Sequence, residues 1–282
     1  MASLDKSVYS GKQFESYISL QSDALGINDV SGTLYKLRTP TVNDIDYSAG
    51  STFADAIRSG QRVQRPTDHI AVFKGGTFTW SFSDYVVENE AVLQLLLQLV
   101  TEDDSPAVSA QITGNQGTVA YEQGETTGEY ACVVISSPDA DEDRLMFSSI
   151  LQDLTLSMNP TANGGRLTAS GTFFSGYQPG IAAEGTSPNA TAADYEEGFF
   201  DCTTTTIGGD NVVLSNFDVT ISNPATRVGY ETVNSIDAEP SAYMRGGMIE
   251  VTGNVSALLD DNVTDTIDDF RDGHQLRLLL AT

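Results

Sequence analysis

Residues 154–176 read LTLSMNPTANGGRLTASGTFFSG, and they carry a clear β-hairpin signal. Leu154, Leu156 and Met158 alternate with Thr and Ser, and a second alternating run follows a turn that contains a proline and a glycine pair. Successive side chains on a β-strand point to opposite faces, so each run has one apolar and one polar face. The stretch therefore predicts two antiparallel strands joined by a long turn.

Further runs on both sides of this hairpin predict a protein that is mainly β. Residues 77–83 alternate three aromatic side chains with Thr and Ser. Residues 130–135 are a continuous β-forming run, and residues 217–221 alternate before an Asn-Pro pair ends the strand. Shorter or later strands are expected at residues 33–38 and 249–257.

Two short helices are predicted among these strands. In residues 91–100 apolar side chains recur at the spacing of an amphipathic helix. Residues 262–272 repeat that spacing after a pair of aspartates, and acidic residues there favour helix capping over a calcium loop, which would need a mid-loop glycine. The first apolar stripe consists of Leu93, Leu96, Leu97 and Val100, and the second of Val263, Ile267 and Phe270.

The two strand–helix segments follow the same order along the chain. Residues 75–112 and 246–280 each contain a glycine pair, an alternating strand, an acidic cap, a helix and a further strand. A duplicated domain explains this order, and coincidence in a β-rich chain is the alternative. Duplication predicts an N-terminal arm (1–30), a first β domain (31–145) and a second one (146–282) with a loop excursion at 178–211.

The charge of the chain is strongly negative. Asp and Glu number 39 against 14 Lys and Arg, which gives a net charge of −25. Such a surface repels nucleic acid, because binding to phosphates requires Lys and Arg. Solubility, adaptation to a halophilic host and an acidic channel wall that does not retain DNA all explain the charge, and the sequence leaves the three open.

The residue inventory favours a structural protein over an enzyme. The only cysteines are Cys132 and Cys202, and the only histidines are His69 and His274, so neither a disulfide framework nor a zinc cluster is indicated. No nucleophile elbow or phosphate loop is present. We therefore expect no catalytic residues, no metal and no cofactor. We also expect no membrane insertion and no cleaved signal, since no apolar run is long enough.

Three segments resemble the major tail tube protein family of phages with long, non-contractile tails. The first is the 154–176 hairpin, whose second strand ends in aromatic residues and glycine. The second, residues 214–223 (LSNFDVTISN), is a strand that ends in Ser-Asn. The third runs from Gly247 through an alternating strand to Phe270-Arg-Asp-Gly273 and a terminal strand. The 75–99 segment also fits the strand–helix pair of that family.

The resemblance implies a mainly β fold with short helices. Each half would be a tail-tube-like β-sandwich or barrel with a flanking helix, and the inner sheets would complete one ring-shaped β-barrel in the oligomer. A duplicated chain would form trimeric, pseudo-hexameric rings, whereas an unduplicated chain would form hexamers. Stacked in a helical assembly, the rings would enclose a smooth, acidic to polar channel for DNA ejection. Another virion β-protein, such as a tail-tip, decoration or capsid-associated subunit, is the alternative.

The polar positions between apolar ones are the expected channel wall in this arrangement. They bear mostly hydroxyl groups and no lysine, so they would not bind passing DNA strongly. The expected partners are further copies of the chain, the tape-measure, tail terminator and tail-tip or baseplate proteins, and DNA in transient passage. The location would be the virion tail, after synthesis in the host cytoplasm. The channel-lining candidates are Thr155, Ser157, Thr168, Ser170, Thr172, Glu250, Thr252, Asn254 and Ser256.

Overall fold

In a computed structural model, the described residues form two β layers and one helix that packs into the core between them. The structure describes residues 13–21, 33–48, 52–53, 69–70, 77–102, 130–138, 143–177, 179–182, 204–207, 210–229, 242–245, 247–258 and 278–281. The described elements are β1 (Glu15–Gln21), β2 (Tyr35–Leu37), β3 (Asp46–Ser48), β4 (Thr52–Phe53), β5 (His69–Ile70), β6 (Thr77–Val86), α1 (Glu90–Thr101), β7 (Tyr130–Ser136), β8 (Asp143–Met158), β9 (Leu167–Ser175), β10 (Gly180–Ala182), β11 (Thr204–Ile207), β12 (Asp210–Asn211), β13 (Leu214–Ser222), β14 (Ala225–Val228), β15 (Ala242–Arg245), β16 (Glu250–Ala257) and β17 (Leu278–Ala281).

Ten of the described strands form one continuous antiparallel sheet that divides into two layers. Layer A has the order β2–β1–β7–β8–β10, and layer B has the order β16–β13–β8–β9–β6–β3. Strand β8 belongs to both layers. Its first half pairs with β7 and β10, and its second half pairs with β9 and β13.

Strand β8 changes layers through local irregularities in its backbone. Its pairing with β7 shifts register near Ser149, and its pairing with β9 shifts between Leu151 and Asp153. Ser148 adopts a positive φ of 46°, which a strand residue adopts only where the chain bends sharply. Bulges and bends of this kind allow one strand to turn the corner from one sheet to another.

The main core lies where the two layers and α1 meet. Leu96 and Leu99 of the helix are fully buried, as are Val133 of layer A and Phe173 of layer B, and all belong to one apolar cluster. Trp80 packs against Phe173 with the ring centroids 5.9 Å apart. The burial of these side chains is the dominant stabilising term that the fold offers.

Helix α1 begins at a standard cap and is buried more completely than its sequence indicates. The Asn89 side chain accepts a hydrogen bond of 2.7 Å from the backbone N–H of Ala91. The predicted apolar stripe is buried, but Val92, Leu95 and Leu99 are buried as well. The helix is therefore embedded between layers rather than amphipathic at the surface.

The C-terminus of α1 is tied to the hairpin of β14 and β15. Arg245, the last residue of β15, donates to the carboxylate of Glu102 at 2.6 Å and to the backbone oxygen of Leu99 at 3.0 Å. Asn223 donates from its side chain to the oxygen of Val100 at 2.8 Å. These bonds satisfy carbonyl groups that a helix leaves without partners in its last turn.

Most of the predicted strands are confirmed, and the structure adds two stretches that the sequence did not indicate. Residues 15–21, within the predicted arm, form β1 between β2 and β7. Strand β8 begins at Asp143, well before the predicted start of the hairpin at residue 154. Both stretches are buried on both faces, so neither alternates in the way a half-buried strand does.

The position of the predicted domain boundary falls inside β8, and β6 from one predicted half pairs with β9 from the other. The described strands of both predicted halves thus share one sheet and one core. The predicted helix at 262–272, the strand at 107–112 and most of the 178–211 excursion lie outside the described residues. The tandem arrangement stays a prediction.

Candidate channel-lining face

Layer B has one apolar and one polar surface. The apolar surface carries residues such as Leu154 and Ile221 against the core, and the side chains that alternate with them point the other way. We call this second surface the polar face. The polar face consists of Ser81, Asp153, Thr155, Ser157, Thr168, Ser170, Thr172, Asn216, Asp218, Thr220, Ser222, Glu250, Thr252, Asn254 and Ser256.

Strand register aligns these residues in rows across the layer. Thr252 of β16 lies opposite Thr220, which lies opposite Thr155, which in turn lies opposite Ser170 of β9. A parallel row joins Asn254, Asp218, Ser157 and Thr168. Directly opposite side chains in antiparallel strands are close enough to interact. The polar face is therefore one continuous surface over several strands.

Hydrogen bonds between neighbouring side chains fix the polar face in place. The hydroxyl groups of Thr155 and Thr220 lie 2.8 Å apart across β8 and β13. Asn254 donates to Asp218 at 3.0 Å across β16 and β13. These bonds use side-chain groups that would otherwise interact with solvent or with a passing ligand.

All nine channel-lining candidates from the sequence lie on the polar face, but they differ in exposure. The four on β16 are exposed, whereas those on β8 and β9 are partly buried. Thr168 is only 8% exposed, and its hydroxyl donates to the backbone oxygen of Ser157 at 3.1 Å. Thr168 thus supports the hairpin more than it offers a group to the surface.

The sequence interpretation missed further members of the polar face. Asp218 and Thr220 alternate with apolar residues in β13, and Ser81 alternates with aromatic residues in β6. The same alternation signal was present in both strands. What the sequence lacked was the register that places Ser81 opposite Thr172 and Thr220 opposite Thr155.

The charges on the polar face are all negative. Within the described strands of layer B, its positions carry the carboxylates of Asp153, Asp218 and Glu250 and no Lys or Arg. Proteins hold the phosphates of DNA through Lys and Arg, whose binding releases the counterions of the duplex. Towards nucleic acid, the polar face therefore presents hydroxyl groups and carboxylates that repel phosphates, and it presents no cation that would bind them.

Asp153 is a partly buried carboxylate on this face. Partial burial raises the pKa of Asp153 above its ordinary value, and a hydrogen bond from the Thr172 hydroxyl opposes part of that rise. A carboxyl whose pKa is higher in the folded state adds stability at low pH. That stability is lost as the pH rises through the folded pKa, because the folded state must then hold the charge.

Replacing Asp153 by asparagine is expected to raise the Tm at pH 7, on the order of 1–2 °C for a half-buried site. Asparagine keeps a hydrogen-bonding group near Thr172 but carries no charge, and the advantage should vanish as the pH falls to the ordinary range of aspartate. Thermal unfolding followed by circular dichroism between pH 3 and 7 measures this, with Asp46→Asn at an exposed position as the control. A variant that is less stable at every pH contradicts the assignment.

Both ends of layer B are strands with one unpaired edge among the described residues. Strand β16 pairs only with β13, and β3 pairs only with β6. An edge strand presents unused backbone donors and acceptors that a strand from another chain can pair with. The polar face can therefore continue into a neighbouring molecule at either side.

The described residues contain no group of three or more His, Cys, Asp and Glu side chains arranged to hold a metal ion. None of the described helices combines the length and the apolar character that crossing a membrane requires. Cys132 is buried in β7, and Cys202 lies outside the described residues.

Comparison with known proteins bears on this arrangement. The family model described as phage tail tube protein matches residues 24–282, which is nearly the whole chain. A search among curated proteins found no match to the chain. The long β-hairpin, the polar face and the free strand edges all lie within the matched range. The chain belongs to the phage tail tube protein family, and it is a structural component of the virion tail.

Proposed function

We propose that this chain is the major tail tube subunit and that the polar face forms the wall of the channel through which DNA leaves the virion. The observation that carries the proposal is the continuity of the polar face. It extends over β16, β13, β8, β9 and β6, and none of its positions in those strands is a Lys or Arg. A DNA duplex that moves past such a wall meets no group that binds its phosphates.

Lateral assembly follows from the two free edges of layer B. Pairing β16 of one chain with the β3 edge of the next would continue the sheet, and a closed ring would leave no edge exposed. Such a contact is heterologous, so it generates a ring when the rotation closes. Rings stacked on each other then form the tube, with the tape-measure, terminator and tail-tip or baseplate proteins as further partners.

We further propose six chains in each ring. The sequence order that indicates a duplication would require three, but layer B is one sheet built from strands of both predicted halves. From strand spacing and tilt, three copies of the five long strands would give a barrel on the order of 30 Å across the backbone, and six copies about 60 Å. Side chains that point inward narrow the channel of either barrel. The wider barrel of six copies is therefore better suited to the passage of a hydrated duplex.

The test of the function is assembly of the purified protein. Concentrated protein is expected to form rings or hollow tubes in negative-stain electron microscopy, and image averaging gives the symmetry. Sixfold rings support a channel wall to which each of six chains contributes one layer B. Threefold rings support the duplicated alternative. A protein that stays monomeric at high concentration and high salt contradicts the tube function altogether.

The position of the polar face is tested by thiol labelling of Asn254→Cys. Asn254 is exposed in the single chain, so a small maleimide and a maleimide coupled to a large carrier protein should both react with the dissociated variant. In assembled tubes only the small reagent should react, since the carrier cannot enter the channel. Unaltered protein gives the background from native cysteines. Equal labelling of tubes by the large reagent would place Asn254 on the outside and overturn the assignment.

A further inference from the structure

The exposed large apolar side chains of the described residues all belong to one segment of the chain. They lie between residues 213 and 258, on or next to β13 to β16. Isolated exposed apolar residues are common, whereas neighbouring ones on a single strand form a surface that a partner can cover. The members are Val213, Val228, Met244, Met248, Val251, Val255 and Leu258.

Two of these residues, Val251 and Val255, lie on β16 and point to the same side as the core. Val251 lies opposite Ile221, and Val255 lies opposite Phe217. Those partners on β13 are 5% and 9% exposed, whereas Val251 is 46% and Val255 41% exposed. The core of the chain therefore ends between β13 and β16, and β16 extends one strand beyond it.

We call Val251 and Val255 the apolar overhang. Met248 precedes β16 and is 89% exposed, and Leu258 follows it and is 59% exposed, so both ends of the strand continue the apolar character. Between the two valines, Gly253 lies so close to β13 that an added Cβ would be 2.8 Å from the backbone oxygen of Asp218. Strand β16 is thus held tightly against β13, and its outer side stays open.

We infer that the apolar overhang is covered by the next copy of this chain in the ring. This inference rests on the proposed function and names the contact that completes it. Among the described residues the same strand has one unpaired backbone edge, so a neighbour whose β3 edge pairs with β16 is brought directly alongside the overhang. The opposite side of β16 carries Glu250, Thr252 and Asn254, which fits a water-filled channel and not a membrane or an apolar ligand.

The inference has a physical consequence for the subunit contact. Backbone pairing alone would leave two valines half in water, whereas a second layer over them excludes water from both. The neighbouring subunit would then extend the apolar core of this chain beyond β13, where that core ends within the single chain. Each subunit contact would combine a continued sheet on the channel side with apolar packing on the other side.

The double variant Val251→Ser/Val255→Ser tests the apolar overhang. Because about half of each valine side chain is already exposed in the single chain, its Tm should be only slightly below that of the unaltered monomer. The protein concentration needed for tube formation should rise by about tenfold or more, from the apolar area that assembly no longer buries. Sedimentation over a concentration series, with electron microscopy of the pellets, gives both the threshold and the form of the assemblies.

The matched control is Thr252→Ser/Asn254→Ser, on the same strand but on the polar face, and its threshold should not change. An unchanged threshold for the valine variant overturns the inference while the tube function stands. A large drop in the monomer Tm of that variant also overturns it, because the valines would then be packed mainly within their own chain. Failure of the unaltered protein to form tubes concerns the proposed function instead, so the two failures are distinguishable.

Discussion

Replacing Arg245 by methionine should lower the free energy of unfolding by about 3–5 kcal/mol, the usual cost of removing one partner of a buried ion pair. Arg245 and Glu102 are 6% and 14% exposed in their side chains. Burial lowers the pKa of Arg245, and the Glu102 carboxylate opposes that shift. Without Arg245, the Glu102 carboxylate would remain enclosed with no cation beside it.

The effect is large because Arg245 also satisfies three backbone oxygens. Its guanidinium donates to Leu99 at 3.0 Å, to Leu151 at 3.2 Å and to Asn223. Methionine fills similar space but donates nothing, so the last turn of α1 and the middle of β8 each lose a hydrogen bond. Burying a backbone oxygen without a partner costs further free energy.

Urea unfolding followed by circular dichroism measures the change, and Arg38→Met is the matched control. Arg38 pairs with Glu88 at 2.9 Å, but its side chain is 46% exposed, so its loss should cost less than about 1 kcal/mol. The double variant Arg245→Met/Glu102→Met should recover part of the loss, because it leaves no enclosed charge. Equal effects of the two single arginine variants would contradict a structural role for the Arg245 pair.

Replacing Trp80 by alanine should cost about 3–5 kcal/mol, the range for removing a large aromatic side chain from a core. Trp80 is 1% exposed, and its ring centroid lies 5.8 Å from that of Phe82 and 5.9 Å from that of Phe173. Its indole N–H donates to the backbone oxygen of Asn43 at 3.0 Å. The substitution therefore opens a cavity and releases the segment that leads into β3.

Trp80→Phe separates the two contributions. Phenylalanine keeps most of the apolar contact but lacks the N–H, so it should cost roughly 1–3 kcal/mol, as expected when a buried acceptor loses its donor. Val213→Ala, at a side chain that is 54% exposed, should change the stability little and serves as the control. Chemical unfolding gives all three values. A cost for Trp80→Ala no larger than that of Val213→Ala would contradict the central position of Trp80.

Most of the strands that the sequence predicts well have one buried and one exposed face; β7, a continuous apolar run buried on both faces, is the exception. Strand β6 alternates aromatic and hydroxyl residues because Trp80 and its neighbours face the core, and β9 and β13 alternate for the same reason. One-sided burial leaves a period of two in the sequence, so these strands were predicted at nearly their observed positions.

Strands that are buried on both faces have no such period. Tyr17 and Ile18 are adjacent in β1, and both are buried. In the sequence they therefore look like isolated apolar residues and not like an alternating strand. Buried Ser16 further disguises the strand, because its hydroxyl donates to the backbone oxygen of Leu37 at 3.1 Å, a partner that only the folded chain supplies. The contact of Arg245 with Glu102 likewise joins residues far apart in sequence, and no local pattern indicates it.

The polar face was predictable in composition but not in extent. Alternation around Thr155 and Thr252 identified its members on β8 and β16, since each strand can be interpreted by itself. That Thr220 lies between these two strands depends on the order β8–β13–β16, which follows from pairings across long loops. Register of that kind is decided by tertiary packing, and the sequence of one strand does not contain it.

During synthesis, β16 is the last strand of layer B to leave the ribosome, after its partner β13 and the hairpin of β8 and β9. Chains emerge from the N-terminus and domains fold as units, so the strand that exposes a free edge and two valines appears only when the rest of its layer is present. A nascent chain then has no completed surface on which to polymerise. If β16 makes the proposed subunit contact, the order of the strands delays self-association until the subunit has folded and so protects the chain from aggregating while it is made.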